Sequence, residues 1–182
     1  HSMITALDHI AIAVPDLEKS IKRFMDDFGL TFDGTEDVIA AKTSTAFFPV
    51  PPTNIELVHP LNGDGPIAGY LEKKGGGLHH LCFRSDNIEE DVERLTAKGY
   101  QFLGDAPSPG AHGSKVIFIH PKSCDGVLIE INQPAENVLG KIARVLNDHK
   151  QLDILVEGHT DDVPISTPLL VDNWDLSVKR AT

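Results

Sequence analysis

A chain of 182 residues, 41 % hydrophobic and 24 % charged, suits one ordinary domain, or one domain plus a fragment. A formal net charge of −11 excludes general phosphate-backbone binding, so no nucleic-acid partner is expected. Two cysteines make neither a disulfide framework nor a CxxC zinc site, and with no secretory leader and no apolar run that spans a membrane the expected setting is cytoplasmic.

In chain order, the first legible unit is "DHIAIAVPDLEKSIKRF": a strand, a turn capped by Asp16, and a helix with apolar residues at Leu17, Ile21, Phe24 and Phe28. "TEDVIAAK" is a weaker strand. "AFFPV", a Pro-Pro turn and "NIELVHP" follow as two strands. The unit then repeats. "HHLCFRSDNIEEDVERL" lies 71 residues later, placing His9 on His80, Leu17 on Ile88, Ile21 on Val92 and Phe24 on Leu95, with Asp86 as the expected cap. "KVIFIHP", a turn at Asp125-Gly126 and "VLIEINQ" complete the second copy. The expected fold class is α+β: paired βαβββ modules, about 4–60 and 77–133 within a domain 4–134, form a cupped mixed sheet. An α/β appendage follows at 136–182.

Successive strand residues face opposite ways. Ile10, Ile12 and Val14 share one face and His9 the other. Ile55 and Leu57 oppose Glu56, and Leu81 and Phe83 oppose His80. Val127, Ile129 and Ile131 oppose Glu130. The apolar faces have the helices to cover them. The other faces gather His9, Glu56, His80 and Glu130, one histidine and one carboxylate from each copy. Any one alone reads as an ordinary solvent-facing residue. Matched across a repeat, they form a donor set for a divalent cation such as Co, Mn, Ni or Zn. Parity places His79 with Leu81 and Phe83, as a packing or orienting residue.

"DHIAIAV", "IELVHPLNGDGPIAGYLEKKGGGLHHLCF" and "GAHGSKVIFIHPKSCDGVLIEINQ" closely resemble the methylmalonyl-CoA epimerase family of the vicinal oxygen chelate superfamily, which also holds glyoxalase I. The resemblance implies a metal bound by His9, Glu56, His80 and Glu130. It also implies interconversion of (R)- and (S)-methylmalonyl-CoA by α-proton transfer through an enolate, with Glu130 the catalytic group. Where some of these epimerases carry a second catalytic Glu, this chain has Thr45; Glu36 and Asp37 lie nearby in sequence. Lys73, Lys74, Lys115 and Lys122 are candidates for coenzyme A phosphates, and "GAHGSK" for a loop over the pocket, with His112 near substrate. The alternatives are a glyoxalase-type lyase on the same scaffold, or a non-catalytic binding module with a cell-wall-binding tail.

From Glu136 the character changes. "VEGHTDDVPI" and "NWDLSVKRA" resemble the OmpA-like peptidoglycan-binding domain, and that resemblance implies contacts through Asp161, Asn173 and Arg180. The match is a fragment, and half a domain buries its core poorly. Peptidoglycan binding by the tail is therefore not expected, nor is a membrane partner. Its open strand edge points instead to a homodimer.

Overall fold

The computed structural model describes residues 4–136. The tail, with Asp161, Asn173 and Arg180, lies outside the described residues apart from its first residue.

The first module runs β1 (Ile4–Ala13), α1 (Leu17–Asp26), β2 (Thr35–Val38), β3 (Thr43–Val50) and β4 (Thr53–Pro60). A helix α2 (Pro66–Lys74) leads into the second: β5 (Gly77–Ser85), α3 (Ile88–Ala97), β6 (Phe102–Pro109), β7 (Lys115–Ile119) and β8 (Ile129–Gln133). One eight-stranded sheet has the order β2-β3-β4-β1-β5-β8-β7-β6. The repeat is visible in the pairing. β1 and β4 run parallel, as do β5 and β8, and the modules join through the antiparallel β1–β5 pair at the centre. These are the expected βαβββ modules. The helix over Pro66–Lys74 and the strand over Phe102–Pro109 are additions to the expected elements.

Two apolar clusters hold the helices to the outer face. Leu17, Ile21 and Phe24 of α1 pack on Val14, Ala46, Phe48 and Leu57. Val92 and Leu95 of α3 pack with Ile88, Ile117, Ile119 and Ile131. Full burial of a side chain such as Phe48 or Leu57 contributes about 1.5–3 kcal/mol. A third cluster lies on the inner face, where Ile67, Tyr70 and Leu71 of α2 cover Ala11, Ala13 and Val58.

Four local expectations are corrected. Asp16 does cap α1, accepting from the Lys19 N–H at 3.0 Å, but the cap of α3 is Asn87, not Asp86. Buried Ile88 is the first helical residue of α3, so the residue just before it takes the cap. Phe28 lies beyond the end of α1, exposed, with its ring against Phe24. Val127 precedes β8 and is exposed. "TEDVIAAK" makes strand only over Thr35–Val38 and then a 3-10 turn, Ile39–Ala41.

Candidate metal and active site

The inner face of the central strands carries the site. In register, Ala11 of β1 stands beside Glu56 of β4 and beside His80 of β5. Cys82 stands beside His9 and beside Glu130 of β8. The four side chains singled out by alternation therefore lie on one patch. Three of them meet. His9 Nε2 is 3.2 Å from His80 Nε2, and Glu130 Oε1 is 3.1 Å from the first and 2.9 Å from the second. Glu56 does not join this trio: its Oε2 lies 3.1 Å from the other ring nitrogen of His9, Nδ1.

The spacing of the trio bears on a metal. Donors about 2.1 Å from a common centre and at right angles stand about 3.0 Å apart; at the tetrahedral angle they stand about 3.4 Å apart. The observed 2.9–3.2 Å is close enough for all three atoms to serve one ion. Two imidazoles and a carboxylate on one side of such an ion leave other positions free for substrate oxygens. A second grouping of Asp8, His9 and Cys82 also centres on His9. Burial pushes the Cys82 thiol well above its ordinary range, so it offers no thiolate at neutral pH.

How the histidines are aimed was not legible from period two. β1 and β5 each carry a register shift just before the site. Leu7 pairs with Phe83 and His9 with Cys82, leaving Asp8 as an extra residue. Ala11 pairs with His80 and Ile12 with Leu78, leaving His79 as another. Such a bulge turns an extra side chain away from strict alternation. Parity thus misplaces His79, which lines the cavity rather than sitting with Leu81 and Phe83. The bulges are 71 residues apart, at equivalent places in the repeat, and do equivalent work. Asp8 Oδ2 stands 2.7 Å from His9 Nδ1, and His79 Nδ1 stands 2.8 Å from His80 Nδ1. Each orienting group fixes the far nitrogen of its histidine and leaves Nε2 facing the trio. Asp8 is held in turn by Arg84, whose Nε and Nη2 donate to Oδ1 at 3.0 and 2.9 Å.

The electrostatics follow from burial and pairing. Burial opposes a charged His9, but bonds with Asp8, Cys82 and Glu130 and the charge of Glu56 outweigh it and hold its pKa far above the ordinary value. Burial would raise Glu130; His80 and His9 together bring it down to about 2. Glu56, with burial dominant and the carboxylates Glu130, Asp8 and Glu36 near it, is pushed up to about 7 despite His9. Burial and the neighbouring His80 bring His79 down to about 4, so its ring is neutral at neutral pH.

These groups form the floor of a cavity of about 240 Å³. One wall is Val38, Ala40, Ala41, Thr43 and Thr45 from the first module, and the facing wall is Ser108–Ala111 from the second. Thr45, at the position where some epimerases of the resembled family carry a second Glu, is a buried part of this wall. Among the candidate lysines, Lys115 is paired with Glu89 at 2.7 Å, and Lys122 lines a separate hollow with Lys98 and Tyr100.

A family model described as the glyoxalase/bleomycin resistance protein/dioxygenase superfamily matches residues 8–118, more than half of the chain. This chain belongs to that superfamily. Within it, similarity to epimerases is high. The mitochondrial methylmalonyl-CoA epimerase of Mus musculus is 44 % identical over 128 residues, covering 70 % of this chain and 72 % of the relative. The ethylmalonyl-CoA/methylmalonyl-CoA epimerase of Cereibacter sphaeroides is 41 % identical over 133 residues, covering 72 % of this chain and 99 % of the relative. The crystal structure of methylmalonyl-CoA epimerase from Mycobacterium tuberculosis superposes with a TM-score of 0.71 at 33 % identity, covering 79 % of this chain and 94 % of that one. A model of the OmpA family matches residues 129–182. That match begins in β8, which pairs with β5 and β7 and so belongs to the sheet of the superfamily domain. Among the described residues, no helix is long and apolar enough to cross a membrane.

Proposed function

We propose that this chain is a methylmalonyl-CoA epimerase, an isomerase that interconverts (R)- and (S)-methylmalonyl-CoA. The observation that carries the reading is the meeting of His9 Nε2, His80 Nε2 and Glu130 Oε1 on the floor of a narrow cavity, in a chain with epimerase relatives. His9, His80 and Glu130 would hold a divalent cation, Co, Mn, Ni or Zn. Glu56 holds the register place in the first module that Glu130 holds in the second, but its carboxylate faces His9 Nδ1, so it would become a fourth donor only by swinging round to the trio. Such a cation supplies a Lewis acid that draws charge toward the thioester carbonyl oxygen and so acidifies the adjacent C–H.

The residues do the rest. Asp8 and His79 keep Nδ1 of the two histidines engaged and their rings fixed. Glu130 stays ionised at neutral pH and takes the α-proton on its own face, leaving the C–H electron pair in the enolate; a protonated group on the opposite face gives a proton to that carbon, which inverts the centre. Val38, Ala40, Val58, Ile67 and Phe118 exclude water around the acyl group. A cavity of this volume takes the acyl end, so the rest of coenzyme A extends out through the mouth.

Residues 4–134 form the catalytic domain in this reading. Residues 136–182 are an appendage outside the chemistry, and the protein works as a cytoplasmic homodimer. Exchange of the α-hydrogen of methylmalonyl-CoA in deuterated water, with and without chelator, tests the activity. The metal-loaded protein exchanges, chelation stops it, and Glu130→Gln lowers the rate at least about 100-fold. Full exchange in Glu130→Gln with metal bound would move the base elsewhere. Conversion of a glutathione hemithioacetal without any α-exchange on the CoA ester would favour the lyase.

A further inference from the structure

The two ends of the eight-stranded sheet are far apart in its order, β2 at one and β6 at the other, yet they meet. The contact is made by the turn between β6 and β7, a 3-10 turn at Ala111–Gly113, which reaches the inner face of the first module. Both the backbone and the ring of that turn's histidine reach the first module, and the backbone makes the shorter contact. The His112 N–H donates to Glu36 Oε1 at 2.9 Å, while Nε2 of the ring stands 3.5 Å from the same oxygen. The ring lies on Phe47, with centroids 4.4 Å apart and planes inclined at 34°. His112 adopts φ 57°, ψ 33°, a left-handed conformation uncommon outside glycine, though histidine is among the residues that take it more readily. Contacts with the opposite module accompany that conformation.

Register explains why Glu36 is the residue that reaches. It pairs with Thr45 across β2–β3, and Val38, two residues on, lines the cavity, so Glu36 lies on the inner face at the rim. The turn it holds is continuous with the Ser108–Ala111 wall, and the facing wall begins at Val38 on its own strand. One hydrogen bond therefore links the two walls between which the acyl group must sit. Gly110 adds a close fit, since a Cβ there would stand 2.6 Å from Val116 Cγ1 and 2.8 Å from Ser114 Oγ, leaving the turn little freedom on its inner side.

We propose that Glu36 is a positioning residue for the substrate. Its carboxylate latches the His112 turn across the mouth of the cavity and sets the width between the two walls. This rests on the epimerase reading for the identity of the substrate, but not for the latch itself.

The test uses the full metal-loaded chain and the variants Glu36→Ala and Glu36→Gln. Amide hydrogen exchange at His112 reads the latch directly. Loss of a hydrogen bond to a charged group corresponds to a change of roughly tenfold or more. In Glu36→Ala, His112 exchanges about tenfold faster or more and KM for methylmalonyl-CoA rises about tenfold, while kcat stays within about threefold. Glu36→Gln, whose amide oxygen still accepts the bond, brings both values back toward the parent's. Unchanged protection of the His112 amide in Glu36→Ala overturns the latch. A kcat lost as completely in Glu36→Gln as in Glu36→Ala overturns the positioning role and makes Glu36 a proton-transfer group. If the parent protein has no epimerase activity, the epimerase reading fails while the exchange measurement still decides the latch.

Discussion

Asp8→Asn should weaken metal binding through His9 without touching a ligand. In the parent, the His9 Nδ1–H faces Asp8 Oδ2 at 2.7 Å, and Arg84 holds Asp8 Oδ1 through two nitrogens at 3.0 and 2.9 Å. Burial works against an ionised Asp8, yet His9 and Arg84 keep its pKa below the ordinary value, so the group that orients the ring is a carboxylate. Asparagine can turn its oxygen to His9 only by presenting its NH₂ to Arg84, or the reverse. Removal of such an orienting partner typically costs 10–100-fold in metal affinity, about 1.4–2.8 kcal/mol. Asp8→Asn should fall at the lower end because Glu56 Oε2, 3.1 Å from the same nitrogen, can take over the bond. Titration calorimetry with Co²⁺ reads this. The single variant should lose about tenfold, and Asp8→Asn with Glu56→Gln should lose more than the product of the separate effects, since the two carboxylates back each other up. Parent-like affinity in the double variant would refute the orienting role of both. A loss in Glu56→Gln alone that matches His80→Ala would make Glu56 a direct donor on a par with the trio.

Metal loading should release protons and tighten as pH rises. His9 has its pKa raised well above the ordinary value in the metal-free protein, so a proton must leave before Nε2 can bind, and affinity should gain about tenfold per pH unit for each proton released. Calorimetry in buffers of different ionisation enthalpy counts those protons. Asp91→Ala should lower stability by about 2–3 kcal/mol, and Tm by roughly 5–10 °C in a thermal melt. The carboxylate is fully buried and holds both the Ser85 hydroxyl and Arg94 Nη1. Deletion of residues 136–182 should leave metal binding and α-proton exchange largely intact, with any change appearing in oligomeric state by light scattering. Loss of exchange at unchanged size would place part of the tail in the active site.

Local sequence determined which residues could form the site. Alternation assigned His9, Glu56, His80 and Glu130 to the inner face because a strand's period is two wherever pairing is regular. The 71-residue repeat doubled the signal, and the helical spacing of Leu17, Ile21 and Phe24 named the outer face. Tertiary structure decided what alternation could not. A bulge exists only relative to a partner strand, so no reading of β1 or β5 alone could turn Asp8 and His79 toward the histidines they orient. Register likewise put Glu130 and Glu56 in equivalent places, but side-chain packing brought only Glu130 to Nε2 of both histidines, leaving Glu56 on the other side of the His9 ring. The contact of Glu36 with His112 spans 76 residues, with no periodicity to announce it. It arises because the curl of the whole sheet brings its two ends together, and curl is a property of eight paired strands that no single segment carries.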